Sequence, residues 1–260
     1  MPKIDAYPQG APCFVQLMTP DQAAAKQFYG ELFGWSMFET PLSDEGDYYL
    51  SAMLGEEFVA GISYFTTPEL TGHPAFWAVF LAVDDVDATA ARVAGLGGEV
   101  EGGPFDVMTF GRMAMIKDPT DARVNLWQAA ESPGTTVRDE VGAPSWNELV
   151  SPDLDTATAF YADLLGVTWS PMEMEGMDYR LLQVGGKNVG GAMPPMPEGV
   201  PPHWNVYFYV ADVDDTVAAV ERLGGRALAP AFDVPTVGRM ACVTDPQGGM
   251  FWVMHELEAA

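Results

Sequence analysis

Positive charge is scarce in this sequence: 12 Lys and Arg stand against 37 Asp and Glu, for a formal net charge of −25 over 260 residues. Nucleic acids and anionic membrane surfaces are bound by Lys and Arg that displace counterions, so neither is an expected partner. Cysteine is scarcer still. Cys13 and Cys242 are too far apart for a metal-spaced pair and too few for a disulfide framework, and read as small buried residues in a reducing cytoplasm. No apolar run approaches the roughly 18–20 residues of a membrane span. The opening stretch, MPKIDAYPQGAP, carries one lysine and no apolar centre, unlike a signal peptide. These absences predict a cytoplasmic protein. Histidine is limited to His73, His203 and His255, which share no metal-site spacing and read as surface or hydrogen-bonding residues. Apolar residues, by contrast, make up 48% of the chain, enough for a sizeable core. The acidic excess keeps such a chain soluble and is compatible with a cationic ligand.

One phrase occurs twice. QFYGELFGW begins at Gln27 and AFYADLLGV at Ala159. Pro20-Asp21 matches Pro152-Asp153, Phe28-Tyr29 matches Phe160-Tyr161, and Gly34 matches Gly166, each 132 positions on. Further along, FDVMTFGRMAMIKDP answers to FDVPTVGRMACVTDP, which pairs Phe105 with Phe232, Arg112 with Arg239 and Asp118 with Asp245, 127 positions on. The first half therefore carries five extra residues between Trp35 and Trp77, around PLSDEGDYY or TPELTGHPAF. Long matches at fixed offset mean a tandem duplication. The boundaries expected are residues 8–132 and 142–257, joined by a polar, turn-rich linker at 133–141.

Each half divides again. FVQLMT has strand character. Asp21 caps a helix whose stripe is Ala25, Phe28, Tyr29, Leu32 and Phe33, and Gly34 stops it. Three strand-like runs follow, and then the order restarts with WAVFLAV and a helix capped by Asp84 or Asp85. The unit is strand–helix–strand–strand–strand, two per half. The matched Arg112 and Arg239 are expected to tie their turns to carboxylates, and Gly111 and Gly238 to give those turns backbone freedom.

An Asp-capped helix bearing FY and ending in Gly, then V-x-D-V-D, then GR-x-x-x-x-x-DP resembles the vicinal-oxygen-chelate superfamily of glyoxalases, bleomycin-resistance proteins and extradiol dioxygenases. The resemblance runs from about Pro12 to Glu256. WNEL at Trp146 and FYGELFGW are similar to a subfamily of tandem glyoxalase-like proteins labelled hydroxylases. The resemblance implies an α+β fold: two tandem glyoxalase-like domains, each of two βαβββ units forming a curved mixed sheet around a cavity.

In the metal-using members that this sequence resembles, four ligands of His, Gln or Glu type line that cavity. Carried over by distance from the matched phrases, three of those positions hold Phe14, Ala78 and Asn125 in the first half and Trp146, Asn205 and Trp252 in the second. The fourth falls in FVAGISYF or KNVGGAMPP, neither of which contains a His, Glu or Gln. Neither metal nor cofactor is expected. Gln16 and Glu148 lie two residues beyond the first position and share its face of the strand. A carboxylate there is a general base, a cation ligand or a hydrogen-bonded structural residue. Around it, Phe14, Trp146, Tyr207, Tyr209, Trp127 and Trp252 supply aromatic walls, which suit a flat organic ligand or a cation, or simply fill the sheet interior.

Two function classes follow. One is a metal-free small-molecule binder of the sequestration or resistance type. Its candidate ligand residues are Trp146, Glu148, Asn205, Tyr207 and Trp252, with Phe14, Gln16 and Asn125 in the first half. The other is a lyase, isomerase or hydroxylase acting on a small organic substrate, with Glu148 as base. A third reading is an interaction protein with vestigial cavities. The second half, richer in polar and aromatic candidates, is the expected working half. A monomer with internal pseudo-symmetry and a homodimer both remain open.

Overall fold

The computed structural model describes residues 3–42, 48–65, 72–174 and 176–256. In the first half the order is β1 (Pro12–Thr19), α1 (Gln22–Phe33), β2 (Ser36–Pro41), β3 (Tyr48–Leu54), β4 (Glu57–Tyr64), β5 (Phe76–Ala82), α2 (Val86–Val93), β6 (Glu99–Val107), β7 (Gly111–Lys117) and β8 (Arg123–Ala129). The second half repeats it, with the counterpart of β6 divided into β14 and β15: β9 (Pro144–Val150), α3 (Leu154–Leu165), β10 (Thr168–Met174), β11 (Met177–Val184), β12 (Lys187–Met193), β13 (His203–Tyr209), α4 (Val213–Arg222), β14 (Arg226–Ala227), β15 (Phe232–Val234), β16 (Gly238–Thr244) and β17 (Met250–Glu256). Each half forms its own mixed sheet, in the orders β2-β3-β4-β1-β5-β8-β7-β6 and β10-β11-β12-β9-β13-β17-β16-β14, with β15 paired to β16. The two strand–helix units of a half meet where β1 runs antiparallel to β5, and β9 to β13.

The repeated aspartates start the helices. Asp21, Asp85, Asp153 and Asp212 each accept a hydrogen bond from the backbone N–H three residues on, at 2.9–3.0 Å, satisfying a donor the helix cannot pair internally. Asp85 rather than Asp84 takes this role. Gly34 and Gly166, both at φ 73°, end the first helix of each half in the left-handed conformation. Arg112 bridges Asp87 and Asp106, and Arg239 bridges Asp214 and Asp233, so each guanidinium ties the second helix of its half to a strand. Gly111 acts differently from expectation, while Gly238 has a positive φ of 159° as well as a packing constraint. A side chain at Gly111 would overlap Trp127 and the Gln128 carbonyl, and one at Gly238 the His255 carbonyl, so close packing requires glycine there.

The five extra residues fall in two places. Gln16 pairs with Gly61 and Glu148 with Gly191, so those glycines match 130 positions apart, and Trp77 matches Trp204 127 apart. Two extra residues thus precede Gly61 and three follow it; residues 43–47 and 66–71, in those intervals, lie outside the described residues.

The principal core is shared by both halves. It gathers Phe28, Tyr29 and Phe33 of α1, Phe160 and Tyr161 of α3, and one face of each sheet. Phe208 packs on Phe33, Trp35 and Trp77 across the halves, with ring centroids 5.0, 5.5 and 5.1 Å apart. The FY and DP phrases meet here reciprocally. Tyr29 donates to Asp245 Oδ2 (2.9 Å) and accepts from Trp77 Nε1 (3.1 Å); Tyr161 donates to Asp118 Oδ2 (3.0 Å) and accepts from Trp204 Nε1 (3.1 Å). The other face of each sheet carries a smaller cluster of its own, and the candidate residues lie there.

Candidate functional site

On the second sheet, Glu148 stands opposite Asn205 and Trp146 opposite Tyr207 in the antiparallel β9–β13 register. Tyr207 lies beside Trp252 in the parallel β13–β17 register. Sharing registers and alternating along their strands, these five side chains occupy one face. Glu148 is buried at 3% exposure. Its Oε2 accepts from the Tyr207 hydroxyl (2.8 Å) and from Asn205 Nδ2 (3.2 Å), and the Tyr179 hydroxyl of β11 bonds the same carboxylate. Trp146 Nε1 in turn donates to the Tyr179 hydroxyl at 3.0 Å. Burial raises the Glu148 carboxyl above its ordinary value, and the three donors oppose that rise. Burial also drives the Tyr207 hydroxyl well up, and the neighbouring carboxylate adds to it. Trp252 stacks on Tyr207 with centroids 5.3 Å apart at 17°, and its Nε1, shielded from solvent, has no hydrogen-bond partner.

Three residues of this face escaped the sequence reading. Tyr179 was legible only through the repeat: it matches Tyr49, and both are followed 12 residues on by a glycine, Gly191 or Gly61, at which a Cβ would overlap the tyrosine hydroxyl. His203 shares the face of Asn205 by the two-residue period of β13, and its Nε2 lies 2.9 Å from Asn205 Oδ1. Cys242 stands opposite Trp252 in the β16–β17 register, with its thiol pushed up to about 12 by burial. His255 bonds the Val210 carbonyl and stacks on Tyr209, away from Glu148.

The equivalent face of the first sheet is differently built. His203, Asn205 and Tyr207 correspond to Phe76, Ala78 and Phe80, so Gln16 meets Ala78 where Glu148 meets Asn205. Phe14 touches Phe58, Phe80 and Trp127 at centroid distances of 5.5, 4.6 and 6.2 Å, and this cluster occupies one end of the face. Gln16 accepts weakly from Tyr49 (3.3 Å). Asn125 is half-buried beside Phe80 and Met115. A groove of about 490 Å³ lined by Lys26, Gln27, Trp35 and Met37 lies beside α1 and shares no lining residue with either face.

A family model described as the Glyoxalase/Bleomycin resistance protein/Dioxygenase superfamily matches residues 13–126 and again 144–253. The chain belongs to this superfamily. Among its relatives, the protein named "Putative glyoxylase CFP32" of Mycobacterium tuberculosis is 46% identical over 256 residues, covering 98% of both chains. The anthracycline biosynthesis protein DnrV of Streptomyces peucetius is 35% identical over 262 residues, covering 96% of this chain and 94% of its own. The Mn(II)-bound glyoxalase of Novosphingobium aromaticivorans shares the fold, with TM-score 0.65 at 17% identity over 96% of this chain and 84% of its own.

The Novosphingobium aromaticivorans glyoxalase is Mn(II)-bound. Phe14, Ala78 and Asn125 on the first face, and Trp146, Asn205 and Trp252 on the second, offer two amides and no imidazole or carboxylate. Glycines occupy β4 and β12 beside Gln16 and Glu148. No group of three or more His, Cys, Asp and Glu able to hold an ion occurs among the described residues. This donor set does not fit the superfamily's metal.

Proposed function

We propose that this superfamily member is a metal-independent small-molecule binder whose working site is the Glu148 face of the second sheet. The observation that carries this reading is a buried carboxylate fixed by Tyr179, Tyr207 and Asn205 beside half-buried Trp146 and Trp252. Its ligand is flat and aromatic, stacking on the indoles, and carries a positive charge or a donor toward Glu148. An acceptor on the same ligand would satisfy Trp252 Nε1. A relative named for anthracycline biosynthesis, a class of planar polycyclic molecules, supports the ring preference. The first face, where Phe76, Ala78 and Phe80 replace the polar set, serves as scaffold.

Titration with proflavine, a planar cation, followed by tryptophan quenching tests the reading. Saturable quenching is expected, and Glu148→Gln should weaken it by about 1.5–3 kcal/mol, the worth of a hydrogen bond to a charged group. Absence of saturable binding by proflavine and by an uncharged planar analogue would remove the proposal. Elemental analysis after incubation with zinc, manganese, nickel and iron should find no stoichiometric metal; one ion per chain, lost in Glu148→Ala, would reverse the metal-independent part.

The raised Glu148 carboxyl favours a second reading, in which it is the general base of a lyase, isomerase or hydroxylase acting on a small organic substrate. That reading requires Glu148→Gln to depress turnover more than binding.

A further inference from the structure

The Glu148 carboxylate is connected to the edge of its site by one side chain. Asn205 Nδ2 donates to Glu148 Oε2 at 3.2 Å, and Asn205 Oδ1 lies 2.9 Å from His203 Nε2. An amide has one donor end and one acceptor end. With its donor end on the carboxylate, its acceptor end requires a proton on His203 Nε2. The other ring nitrogen, Nδ1, lies 2.8 Å from the Pro201 carbonyl, which only accepts. Both ring nitrogens thus face acceptors, an arrangement that the imidazolium form satisfies completely and a neutral ring leaves one donor short. His203 is half-buried while Asn205 and Glu148 are buried, so the chain runs from solvent inward. The first sheet, with Phe76 and Ala78 in place of His203 and Asn205, has no such connection.

We propose that His203, acting through Asn205, is a positioning residue that supplies the counter-charge for Glu148 and links the ionisation of the buried carboxylate to solvent. The inference rests on the reading of the second face as the working site, and it names the residue that favours the anionic form of that site's carboxylate. When the link is intact, Glu148 is held as an anion facing the ligand space. Without the charge of His203, burial acts on the carboxylate unopposed by it, and Glu148 holds its proton to higher pH. A cationic ligand is favoured by the intact link, which keeps the carboxylate anionic. The groups that bear on Glu148 are Tyr179 from β11 and Tyr207, Asn205 and His203 from β13; His203 is the cation among them, and its charge opposes the rise that burial imposes on the carboxyl. β12 contributes Gly191 and no charge at this position.

The test needs no ligand, so this proposal and the binding proposal can fail separately. Carbon-13 NMR of glutamate-labelled protein follows the Glu148 carboxyl through a pH titration, with its resonance assigned by loss in Glu148→Gln. In His203→Gln the midpoint should move upward by about half a pH unit or more, as expected when a nearby opposite charge is removed. His73→Gln, which alters an exposed ring elsewhere, should leave it in place. In an Asn205→Leu background, His203→Gln should produce no further movement. An unmoved midpoint in His203→Gln overturns the proposal. A shift of equal size with and without Asn205 also overturns it, because the coupling would then bypass the amide. Should Asn205→Leu fail to fold, Asn205→Ser, whose side chain is too short to bridge His203 and Glu148, takes its place in the same comparison.

Discussion

Burying a carboxylate is unfavourable unless donors surround it, and at Glu148 three donors from β11 and β13 do so. They reduce the penalty without cancelling it, because the carboxyl remains raised from its ordinary value near 4.5. The folded chain therefore holds this proton to higher pH than the unfolded chain. Between the two values the folded state binds more protons, so this group's contribution to stability falls as pH rises through that interval. Glu148→Gln removes the titration. The variant should gain stability relative to wild type as pH rises from about 4.5 toward neutrality, which urea denaturation at a series of pH values would measure. A difference between the two proteins that stays constant with pH would show that the carboxylate is already ionised throughout the interval.

At the scale of elements, a glycine on one strand makes room for a tyrosine on the next. Gly191 of β12 sits under the Tyr179 hydroxyl, and Gly61 of β4 under that of Tyr49. Gly191→Ala would press a methyl group into that hydroxyl and displace the Tyr179 contact with Glu148. The expected cost is about 1–3 kcal/mol, as for other overpacked interiors, with weaker proflavine quenching. Gly61→Ala should carry a similar stability cost and leave ligand quenching unchanged, since its tyrosine serves the scaffold face. Denaturation and titration on the same pair of variants separate the two effects.

The halves of the molecule are not independent bodies. Each pairs its own strands, but they bury a common core in which Phe208 meets Phe33, Trp35 and Trp77. One cooperative unfolding transition is expected, and either half expressed alone should expose apolar surface and aggregate. Two separate calorimetric transitions would contradict this. The reciprocal Tyr–Asp contacts sit in the same layer. Tyr29→Phe leaves Asp245 one donor short and strands Trp77 Nε1, and should destabilise by about 1–3 kcal/mol; Tyr161→Phe should act alike on Asp118 and Trp204. Calorimetry should find one transition at lower temperature in each variant, since the lost contact joins the halves. Among the described residues no helix is long and apolar enough to cross a membrane.

The sequence by itself determined the duplication, the strand–helix–strand–strand–strand order, the Asp21 cap with its Asp153 match, and the two Arg-centred turns, and it left the cap of α2 open between Asp84 and Asp85. Each of these is local: a cap is set by residues three apart, a strand by its two-residue period, and the repeat by fixed offsets that need no folding to see. It also placed Trp146, Glu148, Asn205, Tyr207 and Trp252 on one face, because registers carried over from the family align their strands. Only tertiary structure decided what those residues meet. Tyr179 reaches Glu148 across β12, which a single strand's pattern cannot reveal. Phe14 and Trp127 occupy the first face together because β1, β5 and β8 are neighbours in space. Tyr29 and Asp245, 216 positions apart, share a hydrogen bond. The FY and DP phrases are visible as repeats, but their pairing across the halves depends on a packing of two sheets through one core that no local pattern encodes.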